Sequence, residues 1–246
     1  MDMSEPNKIV NQLSFACDGL ILQGYLHLPE AARPPVVIGS HGLYSDSASP
    51  KQIALAEHCN IFGIAYLRFD HRGCGNSQGI FEKVTSLEAR CRDLCAAADF
   101  IKSREDTGSQ IGLFGSSMGG TVCLSVATKL GATAIVTFAA PIRSDIAEKN
   151  FNSPDELDKS GLFLDAARRR FDITDRLSDI YNILIFHGDA DDVVPVSHAE
   201  EIHNLAKQAK KKIVQRHGDH PMSNLAHQQA FVREASLWFK RFLKRT

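Results

Sequence analysis

Two serines stand side by side in GLFGSSMGG, residues 112–120, inside a frame of glycines. Ser117 holds the middle of G-x-S-x-G, formed by Gly115, Ser116, Ser117, Met118 and Gly119. Such a frame puts a serine on a strained corner between strand and helix, and its glycines let the two elements approach without a Cβ clash. Ser116 would then lie along the turn. A serine hydroxyl is a weak nucleophile and needs a base, which in turn needs an orienting acid. The chain supplies both downstream, in the order Ser, Asp, His. HGDADDVVP (187–195) carries Asp189, Asp191 and Asp192, and RHGDH (216–220) carries His217 and His220. Acyl transfer is the chemistry such a set performs. Loop offsets leave open which aspartate is the acid. His217 falls within an apparent strand and His220 in a loop, which favours His220 as base. His187, Asp189 and His220 show no zinc-type ligand spacing, and no dinucleotide fingerprint follows the first strands. No metal and no cofactor are therefore expected.

Those residues need a scaffold that brings distant segments together. Runs 9–17 and 20–28 read as two strands around an Asp18-Gly19 turn. A short, nearly all-apolar run follows at 34–42, then strand candidates at 61–70, 108–115, 132–141, 182–189 and 212–219, and the runs apolar on both sides suggest central parallel strands covered by helices. Helical patterns lie between them. One places Leu87, Cys91, Leu94, Cys95, Ala98 and Ile101 on a stripe, with Thr85 and Glu88 as a capping box. Further helices are expected at 118–130, 197–210 and 227–245. The alternation predicts an α/β fold, a doubly wound, mostly parallel sheet of about eight strands flanked by helices. The polar residues above fall at the carboxyl ends of its strands, as do His41, Gly42, Asp70, Arg72, Gly73 and Gly75. Asp70 and Arg72 are expected to fix a loop, and His41 to shape the loop after its strand or to reach substrate.

Residues 142–181 interrupt the rhythm with a charged, helical stretch. The expected division is a core of 1–141 and 182–246 with 142–181 as a lid over the carboxyl end of the sheet. Phe151, Leu162, Phe163, Leu164 and Phe171 would form its apolar underside. A tentative pocket wall comprises His41, Tyr44, Phe163, Phe171, Val193 and Val194.

Global composition bounds the partners. The 246 residues carry 28 Lys plus Arg and 29 Asp plus Glu, a formal net charge of −1, so nothing steers the surface toward nucleic acid or anionic lipid. The basic KQAKKK and KRFLKRT read as solvated helix ends. No run reaches the roughly 18 apolar residues of a membrane span, and the polar N-terminus lacks the blocks of a signal peptide. Six cysteines without a C-x-x-C pair suggest free thiols in a reducing compartment, the cytoplasm by default. Monomer and homodimer stay equally open.

The motifs HGLYS (41–45), DHRGCGNSQG (70–79), GSSMG (115–119), HGDADDVVP and GDH (218–220) together resemble the α/β-hydrolases over essentially the full length. The chain is most similar to small esterase and acyl-peptidase-like members with a short lid, among them feruloyl-esterase-like and monoacylglycerol-lipase-like proteins. The resemblance implies Ser117 as nucleophile, His220 as base and Asp191 as acid. It implies an oxyanion hole from the backbone N–H groups of Leu43 and Met118. Ser45, where many relatives carry glycine, and Asp219, where many carry a small residue, depart from the pattern. The expected activity is hydrolysis of small or aromatic carboxylic esters through an acyl-enzyme. Acyl-peptidase, aminopeptidase or acylglycerol lipase activity is the alternative. A non-catalytic binding protein on the same fold is the reading from another class.

Ser117→Ala should leave the fold intact and cost several orders of magnitude in turnover, whereas Ser116→Ala should cost far less. Phosphonate labelling that survives in the Ser117→Ala protein would show the frame to be misread.

Overall fold

Asp18 and Gly19 both take positive φ, 49° and 78°, and so reverse the chain with the twist a two-residue hairpin needs. They join β1 (Ile9–Cys17) to β2 (Leu20–Leu28), paired from Cys17↔Leu20 out to Ile9↔Leu28. In this computed structural model, which describes residues 9–144 and 170–243, six more strands complete one sheet. They are β3 (Val36–Ser40), β4 (Ala65–Phe69), β5 (Ile111–Ser116), β6 (Ala134–Phe138), β7 (Ile183–Gly188) and β8 (Lys210–Gln215). β3, β6 and β7 are buried along their whole lengths, which is why their sequences are apolar without alternation. β8 forms one edge, and its three leading lysines blunt it against further pairing.

The strand order is β1-β2-β4-β3-β5-β6-β7-β8. β1–β2 and β2–β4 are antiparallel and the remaining pairs parallel. The chain winds outward from β3 to β4, then returns to place β5 on the other side of β3. The crevice between the carboxyl ends of β3 and β5 is the topological switch point, where loops diverge and leave room for a ligand. It receives His41–Leu43 from β3 and Ser117 from β5.

Helices cover both faces. α1 (Pro50–Ile61) and α6 (Leu225–Phe242) pack Leu55, Phe231, Trp238 and Phe239 over Phe114, Phe138 and Phe186. After the single turn of α2 (Phe81–Val84), α3 (Leu87–Lys102), α4 (Met118–Leu130) and α5 (Ser197–Leu205) close the opposite face through Leu94, Ile101, Val122 and Ile202. A 3₁₀ turn, Thr174–Asp179, precedes β7. Most of the expected lid, 145–169, lies outside the described residues, and Phe151, Leu162, Phe163 and Leu164 with it.

Three local expectations need correction. The cap of α3 is Ser86, whose hydroxyl accepts from Ala89 N–H at 3.1 Å, rather than Thr85. Leu87, Leu94, Ala98 and Ile101 of the expected stripe on α3 are buried, but Arg90, Asp93 and Ala97 share that face while Cys91 and Cys95 are only half-buried. The last strand stops at Gln215, and His217 sits beyond it at a φ of 56°.

The same face of α3 carries Arg90 and Asp93 into the interior. Asp93 accepts from Arg72 Nε at 2.8 Å, from Arg72 N–H at 3.1 Å and from His71 Nδ1 at 3.3 Å. His71 Nε2 then accepts from the Ser40 hydroxyl at 2.8 Å. The backbone N–H of His71 donates to His41 Nε2 at 3.0 Å, so a neutral His41 carries its proton on Nδ1 and donates it to Gly42 O at 2.7 Å. Arg72 also reaches Asp18 at 2.9 Å. Burial pushes His71 down to about 4 against the pull of the Asp93 carboxylate. His41 is lowered by burial first, then by His71 and Arg90. Burial alone would raise Asp93, but its bonds to His71 and Arg72 hold it down at about 2.

Acid should therefore unfold this protein early. Both histidines titrate near 6.5 once exposed and lower when folded, so the unfolded chain takes up the extra protons as pH falls below 6.5. Through these two histidines stability is flat above that value and declines beneath it, for His71 down to about 4. From pH 7.5 to 5.5 the loss through His71 alone is about 1.4 kcal/mol, and His41 acts in the same direction. Urea midpoints at the two pH values measure it, and a constant or rising midpoint toward pH 5.5 would contradict neutral buried histidines.

Candidate active site

Ser117 links β5 to α4 with a φ of 53° and a ψ of −126°, a conformation few residues with a side chain adopt. Its N–H is bonded to Phe138 O on β6 at 2.8 Å, and its own carbonyl accepts from Gly120 N–H at 2.7 Å. Glycine is obligatory on both sides of the corner. A Cβ on Gly115 would overlap the Gly119 carbonyl, and one on Gly119 would overlap the Ser40 carbonyl.

His220 lies in the loop after β8 and faces both partners. Its Nε2 stands 3.2 Å from Ser117 Oγ and its Nδ1 2.8 Å from Asp191 Oδ2. With Nδ1–H donated to the carboxylate, the Nε2 lone pair points at the serine hydroxyl, as proton abstraction requires. The Asp191 side chain is fully buried, and its other oxygen accepts from Val193 N–H at 2.9 Å and Val194 N–H at 2.8 Å. Burial would raise this carboxyl, but the His220 bond and those two N–H groups outweigh it, and the acid titrates below its usual range. Asp189 accepts instead from His217 N–H at 2.5 Å, tying β7 to the turn before His220. Asp192 is exposed, and neither it nor Asp189 bonds to His220. His187 donates to Val194 O at 2.7 Å. Asp219 accepts from Ser223 N–H at 2.7 Å, so the unusual acid beside the base turns into its own loop.

Leu43 and Met118 flank the serine. Met118 opens α4, so its N–H has no acceptor within the helix. Gly42 lies against the corner, where a methyl group in place of its hydrogen would sit 3.6 Å from Ser117 Cβ. Among the described residues neither the Leu43 nor the Met118 N–H is spent on a protein acceptor.

The tentative pocket wall divides. Tyr44 is 56% exposed beside the oxyanion loop and packs on Phe81 with ring centroids 5.4 Å apart. Val193 is 52% exposed. Val194 is buried, its N–H and carbonyl committed to Asp191 and His187. Phe171 packs half-buried against the core, while Phe163 lies outside the described residues. His41 is 1% exposed with both ring nitrogens engaged, so it leaves the pocket list and shapes the loop.

Two cations were not singled out from sequence. Lys51, in the first turn of α1, donates to Pro221 O at 3.2 Å and lies 4.5 Å from the Phe138 ring centroid, bracing the loop of His220. Burial pushes it down to about 8. Arg90 donates to the carbonyls of Gly42 and Leu43 in the loop after β3. Its signal was a charge at the i+3 position of an apolar stripe beginning at Leu87, which demands a buried partner.

Known proteins with the same plan are readily found. The fold superposes on Est1E from Butyrivibrio proteoclasticus, solved with ferulic acid bound, with a TM-score of 0.79 and 21% identity, covering 94% of this chain and 98% of that one. In sequence, YfhR of Salmonella typhi is 31% identical over 162 residues, 62% of this chain and 53% of its own length. YfhR of Escherichia coli O157:H7 is 29% identical over 217 residues, 83% of this chain and 71% of its own. The chain thus spans between about half and seven-tenths of the length of these relatives. Residues 32–156, half of the chain and running from before β3 through the serine corner, match the family described as serine aminopeptidase S33, and the chain belongs to that family of α/β-hydrolases.

Proposed function

We propose that the protein is a serine hydrolase that cleaves carboxylic esters of small or aromatic acyl groups through a covalent acyl-enzyme. One observation carries the reading: His220 bridges the Ser117 hydroxyl and the buried Asp191 carboxylate, with each ring nitrogen on its own partner. Ser117 Oγ attacks the acyl carbonyl while His220 Nε2 takes its proton. Asp191 holds the ring in that tautomer and balances the imidazolium charge. The oxyanion settles between the N–H groups of Leu43 and Met118, each donor lowering the barrier by about 3–4 kcal/mol. His220 then hands the proton to the departing alcohol, and water, deprotonated by the same nitrogen, releases the acid.

The exposed Tyr44, next to Leu43, and Val193, two residues past Asp191, offer apolar surface, which suits an acyl group with an aromatic or short aliphatic body. Within the expected 142–181, residues 145–169 are assigned as the lid that sets acyl preference, on their Phe and Leu content, since the flanking Ile142, Ile173, Leu177 and Ile180 are buried in the core. The six cysteines are free and several are deeply buried, in keeping with a reducing compartment such as the cytoplasm. No described helix is long and apolar enough to cross a membrane.

A fluorophosphonate probe should label Ser117 stoichiometrically. A panel of p-nitrophenyl, feruloyl, glyceryl and aminoacyl substrates, with a thioester included, should show highest kcat/KM for an ester of small or aromatic acid. Asp191→Asn should lower kcat by about 10⁴ because the ring is then held in the wrong tautomer. Labelling at another residue, or full turnover in the Asp191→Asn protein, would overturn the proposal.

A further inference from the structure

Arg90 is completely buried on α3, and no carboxylate among the described residues is hydrogen-bonded to it. Removing a guanidinium from water with no carboxylate bonded to it is costly even with the Asp93 charge nearby, and Leu or Met would fill the space at lower cost. Its partners explain its presence. Nη1 lies 3.4 Å from His41 O and 3.2 Å from Gly42 O, while Nη2 lies 2.8 Å from Leu43 O. Three consecutive carbonyls of one loop thus converge on one planar cation. Its remaining contact is the Cys74 thiol at 3.3 Å.

The peptide plane turns this into a statement about the oxyanion hole. In a trans peptide the C=O of one residue and the N–H of the next point in opposite directions. The Gly42 carbonyl and the Leu43 N–H share such a plane. That carbonyl also accepts from His41 Nδ1–H at 2.7 Å and from Ser45 N–H at 3.3 Å, so three donors fix it. The Leu43 N–H is thereby turned away from Arg90 and locked. A cation on the carbonyl also polarises the amide and strengthens the N–H as a donor. We propose that Arg90 is the positioning residue of the oxyanion hole, holding the Gly42–Leu43 peptide from behind so that Leu43 N–H is preorganised for developing negative charge. The inference rests on the acyl-transfer reading above.

The test compares Arg90→Met and Arg90→Lys with the parent. Each is assayed for kcat and KM on a p-nitrophenyl ester and for inhibition by an arylboronate. The boronate bonds to Ser117 Oγ, becomes tetrahedral and places an oxygen in the hole. Circular dichroism and thermal melting verify the fold. Arg90→Met should lower kcat by about 10²–10³ with KM within about threefold, and should weaken the boronate by a similar factor. Arg90→Lys keeps the charge but cannot span three carbonyls, and should fall between. A folded variant with kcat and boronate affinity near parental values would overturn the inference while leaving the hydrolase reading intact. A fall in kcat with unchanged boronate affinity would overturn it too, because the loss would then lie outside the hole. Should Arg90→Met fail to fold, Arg90→Lys decides by the same two readouts. A parent protein that turns over no ester and takes up no fluorophosphonate would instead remove the acyl-transfer reading, and this inference with it.

Discussion

The site begins from one backbone conformation, the positive φ of Ser117. Holding a residue with a side chain there costs on the order of 1–3 kcal/mol and lasts only where neighbours over-determine it. Here a ladder bond to Phe138 fixes the N–H, and the first turn of α4 fixes the carbonyl. The corner is so tight that α4 meets β3 backbone to backbone, with Gly119 against the Ser40 carbonyl. That contact sets the position of the next residues of β3. His41, Gly42 and Leu43 must leave the sheet beside the serine because no side chain separates the two elements. The serine corner and the loop after β3 are thus placed by the same close approach.

A tight corner still needs rigid loops around it, and these are held by polar groups buried beneath them. Asp70 accepts from Ser47 N–H at 2.6 Å and Asn76 N–H at 2.9 Å, tying the loop after β3 to the loop after β4. Asp93, Arg72, His71, Ser40 and His41 continue the network inward. An apolar filling of similar volume would match or exceed its stability, whereas removing one partner would strand a buried charge at about 3–5 kcal/mol. What the network supplies is direction: each hydrogen bond fixes a peptide plane, and the planes of 41–43 decide where the N–H of Leu43 points. The acid sensitivity of the fold and the order of its oxyanion loop therefore have a common origin in neutral His41 and His71.

The sheet was legible because buried parallel strands are written as unbroken apolar runs, and strong local signals such as Asp18-Gly19 set the turns. The motifs around Ser117, Asp191 and His220 were legible because a positive-φ corner and a tight turn restrict residue types severely. Choosing Asp191 over Asp189 was not possible from spacing alone. The choice depends on Asp189 being drawn off by the His217 N–H, a contact across 28 residues. The cap at Ser86 was missed because Thr85 and Ser86 are chemically equivalent caps one residue apart. Arg90 and Asp93 were missed because the apolar stripe was drawn through Cys91 and Cys95, whereas the buried face shares Leu87, Leu94, Ala98 and Ile101 with that stripe but adds Arg90, Asp93 and Ala97. His41 was placed both in the loop and at substrate, since a histidine after a strand says nothing about which way its ring turns.

The chain in fact contains two rows of serine, histidine and aspartate. Ser40, His71 and Asp93 meet with a hydroxyl on Nε2 and a carboxylate on Nδ1, at 2.8 Å and 3.3 Å. Ser117, His220 and Asp191 meet in the same sense, at 3.2 Å and 2.8 Å. Residue types and distances alone do not separate them. Three physical differences do. Ser40 is wholly buried, so no carbonyl can reach it, whereas the His220 side chain keeps 20% of its surface open. Burial holds His71 near 4, too low to keep a proton taken from serine at neutral pH. Ser40 also ends a regular parallel strand, paired with Gly115 on β5. Ser117 lies one residue past the strand, on the corner, where the next residue's N–H has no acceptor among the described residues. The same three side chains brace the fold where they are sealed and are set up for chemistry where the backbone is bent and open to a ligand.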